Sequence, residues 1–202
     1  MQADKKFHLR LNVLVMLVLS SFASTAHAAL PNAADMLANF AQQIPALMNL
    51  VTAIGFILGT VCIITGISKL KTVGESRTMM SQEKSLLQPI AYIFVGTALI
   101  YLPSSVWVGL DTFWQNPTPY AYITQTTDQW SEAIKNCFMI IQLVGTIAFI
   151  RGLVLLTHVG GQQSQQGTFA RGITHIIGGI LCINIYQFVQ VIAATFGISV
   201  PL

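Results

Sequence analysis

Charge is what this sequence has least of. Asp, Glu, Lys and Arg make up 8% of its 202 residues, beside 53% hydrophobic residues, whereas a soluble domain carries about 25% charged residues. A surface that poor in charge would aggregate in water, so an ordinary soluble domain is excluded and lipid is the expected solvent. Basic runs are missing as well. Three of the ten basic residues, Lys5, Lys6 and Arg10, fall in the first ten positions, and nucleic-acid binding is set aside on that ground. Cysteine is limited to Cys62, Cys137 and Cys182, with no CxxC pair and no His/Cys cluster at metal-ligand spacing. The three thiols read as small packing residues, with one disulfide between helices left open. There is no nucleotide loop, no nucleophile elbow and no pair of carboxylates at catalytic spacing. No enzyme, no metal and no cofactor is therefore expected.

What is present begins with a targeting signal. Residues 1–28 combine the positive Lys5, Lys6 and Arg10, an apolar core over residues 11–22, and the cleavage pattern Ala26-His27-Ala28. The apolar core is short for a bilayer of about 30 Å, which needs about 20 residues of helix. An uncleaved anchor is the alternative. Residues 29–43 form a leader, either an interfacial amphipathic helix built on Leu30, Met36, Leu37 and Phe40 or a loose segment.

Four later stretches are long and apolar enough to cross: residues 44–68, 89–110, 137–157 and 172–198. Pro45 and Pro89 sit in first turns, where a missing N–H costs nothing. Pro103 falls inside the second stretch and is predicted to kink it or end it near Leu102, with Ser104 and Ser105 able to take the freed carbonyls. Orientation follows from the basic residues of the short loops. Lys69, Lys71, Arg77, Lys84, Arg151 and Arg171 gather at one side, and Lys135 alone at the other, next to Asp35, Asp111, Asp128 and Glu132. The mature N-terminus and the C-terminus are thus expected in the periplasm and both basic loops in the cytoplasm, which agrees with the export signal. Trp107, Trp114 and Trp130, with Phe113, Tyr120 and Tyr122, lie near the outer ends and read as an interfacial belt or as a periplasmic partner surface. Residues 111–136 form the periplasmic loop, with turn chemistry at Asn116-Pro117-Thr118-Pro119. The run 160–167, GGQQSQQG, reads as a flexible linker or an adaptable surface.

The predicted fold is an all-α membrane protein: four transmembrane helices as two parallel-repeat hairpins, residues 44–110 and 137–202, behind a cleavable signal peptide. The duplication is carried by residues 88–96 (QPIAYIFVG) laid over residues 171–179 (RGITHIIGG), and by Ile54-Gly55 laid over Val144-Gly145. Small residues recur at helical spacing, namely Gly55, Gly59, Cys62 and Gly66, then Gly145, Ala148 and Gly152, then Gly172, Gly179 and Cys182. Such stripes let helix backbones approach closely in lipid. The intramembrane polar candidates are Arg151, His175, Asn184 and Gln142, with Gln187 and His158 nearby. Arg151 is the one strong charge within a span, and snorkelling, pairing with a neighbouring subunit or an ion path all fit it. The histidines read as hydrogen-bonded. The amides suit cross-helix bonding in a packed bundle or oligomer, with a water-lined pore as the sharper alternative. No Asp or Glu lies within a span, which counts against proton-coupled transport.

The signal, the two short hairpins and the run 170–185, ARGITHIIGGILCINI, resemble the IcmC/DotE family of the Dot/Icm type IVB secretion system. DotV is a second related candidate, and IcmD/DotP looks like a shorter relative with one such hairpin. The resemblance covers most of the mature chain, and its strongest motif lies in the last span and the loop before it. It implies a small inner-membrane structural subunit of a machine that exports effector proteins from an intracellular pathogen, or DNA in conjugative relatives. Its expected partners are the lipid bilayer and other inner-membrane subunits in a hetero-oligomer. No catalytic residues come with it. The competing expectation is a stand-alone transporter or channel.

Overall fold

The computed structural model describes residues 33–78, 85–119, 129–159, 161 and 167–197. The expected signal peptide, the start of the leader, Lys84, Tyr120, Tyr122, Asp128 and most of the run 160–167 lie outside the described residues. The chain divides into two units, Met1–Met36 and Leu37–Leu202, and the packing below belongs to the second. All regular structure among the described residues is α-helical: α1 (Ala33–Thr78), α2 (Leu87–Ile100), α3 (Leu102–Phe113), α4 (Gln129–Leu156), α5 (Thr168–Ile183) and α6 (Ile185–Thr195).

Two of these, α1 and α4, are long and apolar enough to cross a membrane unaided. The other two expected spans are broken pairs, α2 with α3 bent by 96° and α5 with α6 bent by 87°. Among the described residues there are therefore two to four candidate membrane spans; the break predicted near Leu102 in the stretch 89–110 is present, and the unbroken span expected over 172–198 is corrected to an elbow. At the first elbow Tyr101 leaves helical geometry (φ −98°, ψ 42°), two residues before Pro103, which sits in the first turn of α3. Proline removes one backbone donor and clashes with the preceding turn. Ser105 Oγ donates to the Ala98 carbonyl at 2.9 Å, as the sequence leads one to expect of it. At the second elbow Asn184 adopts almost the same backbone (φ −108°, ψ 45°) with no proline nearby.

Two further boundaries differ from expectation. Helix α1 begins at Ala33 and runs 46 residues, so most of the expected leader belongs to its first turns. Pro45 consequently sits inside α1 and not at its start. Helix α4 begins at Gln129, which shortens the expected loop over 111–136.

Glycines set the packing of both hairpins. A Cβ placed on Gly59 would lie 2.8 Å from the Gly96 carbonyl oxygen, and one on Gly96 would lie 2.8 Å from that of Gly59. In the second hairpin Gly145 and Gly179 stand in the same reciprocal relation at 2.8 and 2.7 Å, and Gly152 and Gly172 repeat it at 2.8 and 3.2 Å. Gly66 approaches Tyr92 and Ile93. Backbones this close exchange dispersion and weak Cα–H contacts that any side chain would prevent. Gly59 makes the kind of reciprocal contact that Gly145 makes. Gly55, one helical turn earlier, meets a side chain of the elbow instead, Leu102 Cδ2, at 3.3 Å. Above the glycines, Val95, Leu99, Leu102, Leu110, Phe149, Ile150, Leu153, Ile180 and Ile183 form the buried core. A second cluster of Ala41, Ile44 and Leu143 joins α1 to α4. The opposite stripe of α1 (Leu50, Ile54, Ile57, Val61 and Ile64) is exposed.

Candidate functional site

The polar residues of the apolar helices converge on the loop between α3 and α4. Asn184 is 0% exposed, and its amide nitrogen donates to Gln187 Oε1. Gln187 Oε1 also accepts from the Thr118 backbone N–H at 3.2 Å, and Gln187 Nε2 donates to the Asn116 carbonyl at 3.0 Å. From α4, Gln142 Nε2 donates to the Pro119 carbonyl. Prolines at 117 and 119 take two N–H donors out of this loop, and the helix amides satisfy donors and acceptors that remain. Gln142 and Gln187 therefore bond to the loop, and Asn184 to Gln187, where bonding across packed helices was expected. One atom is left over: Asn184 Oδ1 is buried without a hydrogen-bond partner.

Beside this network lies an open crevice of about 630 Å³, mostly apolar, with Met48 and Thr52 of α1, Pro103 and Trp107 of α3, Thr146 of α4 and Pro117 of the loop among its walls. Both elbows reach it through Leu102 and Ile183. Trp114 is half-buried and packs on Phe113 with ring centroids 5.9 Å apart, whereas Trp107 and Trp130 are exposed. Gln142 is 5% exposed, so Gln142→Leu strips a buried hydrogen bond from the loop. It is expected to cost about 1–2 kcal/mol, read as a lowered thermal midpoint of the chain in detergent. An unchanged midpoint would mean that the loop is held by other contacts.

The remaining candidates sit at the other ends of the helices. Arg151 is exposed on α4. His175 Nδ1 lies 2.8 Å from the Arg171 carbonyl, a bond the ring nitrogen must donate because a carbonyl only accepts. His158 Nδ1 turns to its own helix, 3.2 Å from the Val154 carbonyl. The two histidines thus serve their own helices. Among the described residues no group of three His, Cys, Asp or Glu side chains gathers to hold a metal ion, and Cys62, Cys137 and Cys182 are free thiols, which answers the disulfide left open above. The elbow at Asn184 is the feature that sequence reasoning missed. Its signal was a lone amide in an apolar run at the position that the 88–96 over 171–179 alignment pairs with Tyr101.

Helix lengths, an apolar exposed surface and glycine-mediated packing define an all-helical chain of membrane type. No protein-family model, no curated protein and no solved structure matches it.

Proposed function

We propose that this chain is an inner-membrane structural subunit of a type IVB protein secretion apparatus, non-catalytic and working within a hetero-oligomer. The observation that carries the structural role is the reciprocal glycine contact in each hairpin, which gives two backbone-packed units, combined with the unpartnered apolar stripe of α1. The secretion assignment rests on the resemblance of residues 170–185 to the IcmC/DotE family.

The hairpins are read as parallel duplicates. Tyr101 and Asn184 lie 83 positions apart with nearly equal dihedral angles. Ile93, which meets Gly66, and Ile176, which meets Gly152, are also 83 positions apart, while the two glycines are 86 apart. The elbows are read as turning the chain from a crossing into the outer interface. Residues 102–134 and 184–202 contain no Lys or Arg, so a return to the basic side has no support from loop charge. Helix α3 carries Trp107 and Phe113 exposed, which suits a helix lying at headgroup level. Both termini of the mature chain are then periplasmic, after cleavage of the signal, and the loops near Lys71 and Arg171 are cytoplasmic.

Crosslinking in intact membranes is expected to attach this chain to other inner-membrane proteins, and deletion to abolish secretion while no single polar substitution does. Recovery of self and lipid alone would overturn the reading. A stand-alone channel is the second reading, favoured by the partnerless Asn184 oxygen at a broken helix, a feature of substrate sites in transporters. That reading requires flux through the purified chain in liposomes, lost on changing Asn184 or Arg151.

A further inference from the structure

The last hairpin carries cations without counter-charges. From residue 133 to the C-terminus the sequence contains no Asp or Glu, yet it places Arg151 and Arg171 there. Among the described residues neither guanidinium has a hydrogen-bond or ion-pair partner, and Glu75, on α1, is set against Lys71 at 3.8 Å.

The glycine contacts bring these cations together. Gly145 meets Gly179 and Ile183, and Gly152 meets Gly172 and Ile176, which fixes the antiparallel register of α4 and α5. One step back from each contact residue turns by about 100° on both helices, and antiparallel helices turn in opposite senses, so the preceding residues share one side. They form rungs: Leu155 beside Arg171, Arg151 beside His175, Ala148 beside Gly178, Val144 beside Cys182. Residues one step forward, Ile150 and Leu153, join the core with Val95 and Leu99 of α2. The rungs therefore occupy the uncovered side. Arg151 and Arg171 are exposed, Val144 is 56% exposed, and a Cβ on Gly178 would meet no atom within 4 Å. In the first hairpin the matching positions hold neutral residues: Gln88 accepts from Lys69 Nζ at 3.4 Å, and Tyr92 lies under that ammonium at 5.3 Å. There the chain serves its own cation.

We propose that this side of the α4–α5 hairpin binds an anionic phospholipid. Arg151 and Arg171 face the headgroup phosphate, and an acyl chain lies along the notch at Ala148 and Gly178 toward Val144. Two features select a lipid over a soluble anion: the cations open onto an exposed apolar face, and the notch continues directly below them. Basic pockets between helices on the cytoplasmic side recognise such headgroups. The proposal rests on the membrane reading alone, so its failure leaves the secretion assignment standing.

Native mass spectrometry of the full chain, purified in neutral detergent, tests it by titration with phosphatidylglycerol and, separately, phosphatidylcholine. The wild-type chain should retain phosphatidylglycerol preferentially. The R151Q/R171Q variant should bind it about thirtyfold more weakly, at about fivefold per basic residue. R151K should keep most of the affinity, and K135Q, at the far end of α4, all of it. Equal retention of the two lipids by the wild-type chain would overturn the proposal without recourse to any variant. So would undiminished binding by R151Q/R171Q, or release of the lipid by inorganic phosphate, which would make the ligand a free anion.

Discussion

Replacing Gly145 with alanine should markedly weaken the α4–α5 hairpin. The added carbon would sit 2.8 Å from the Gly179 carbonyl oxygen and 2.9 Å from the Ile183 nitrogen, and backbone atoms cannot swing aside as a side-chain end can. The helices must separate, which disturbs Phe149, Ile180 and Ile183 in the core directly above. Overpacking of a well-filled contact costs about 1–3 kcal/mol, and a collision with backbone belongs at the upper end. Gly179→Ala should match it, because its Cβ would meet the Gly145 oxygen at 2.7 Å. Gly178→Ala, one position away and facing open space, should be neutral or stabilising by about 0.5–1 kcal/mol, since alanine loses less backbone freedom than glycine in a helix. Unfolding midpoints of the three variants in detergent decide the matter. Equal midpoints for Gly145→Ala and Gly178→Ala would show that the close backbone contact does not hold the hairpin.

The second large effect is expected at Gln187, and it should exceed that at Asn184 although Asn184 is the more buried. Gln187→Leu removes three partners at once: the Asn184 amide, the Thr118 N–H and the Asn116 carbonyl. The buried Asn184 side chain is then left wholly unpaired, which costs about 1–3 kcal/mol by itself, before the two loop bonds are counted. Asn184→Leu removes an amide whose oxygen is already unsatisfied and leaves Gln187 bonded to the loop. Its expected cost is below about 1 kcal/mol, by the rule that replacing a polar group can be nearly neutral once no orphan remains. The double variant should accordingly be more stable than Gln187→Leu alone, a coupling that a double-mutant cycle reads directly. Additive losses would mean that the two amides act separately.

The elbows also mark the limit of what the sequence discloses. Pro103 announces its break because a ring in place of an N–H acts locally, and Ser105 lies within reach of the carbonyl it serves. Asn184 gives no comparable notice. Tyr101 takes almost the same dihedral angles with an unrelated side chain, so the second bend is imposed by packing against residues distant in sequence. The Gln187 network was hidden for a related reason: its partners Asn116 and Thr118 are about seventy positions away, and no periodicity connects an amide to a loop carbonyl. Among the glycines, spacing showed which helices approach closely, but Gly55 and Gly59 are one turn apart and share a face, so only the contact with Gly96 distinguishes them. Arg151 was legible as the one charge in a span. That Arg171 and His175 stand on the same side depends on the register between α4 and α5.

In the proposed topology the apolar helices cross a membrane with the basic ends inside and both elbows toward the outside. Single cysteines at Lys71, Arg171, Asn116 and Thr195, placed in a cysteine-free background and probed with an impermeant thiol reagent on intact cells, test it most directly. The expected result is labelling of Asn116→Cys and Thr195→Cys from the outside, with Lys71→Cys and Arg171→Cys reached only after the membrane is opened. Outside labelling of Lys71→Cys, or protection of Asn116→Cys until lysis, would contradict it.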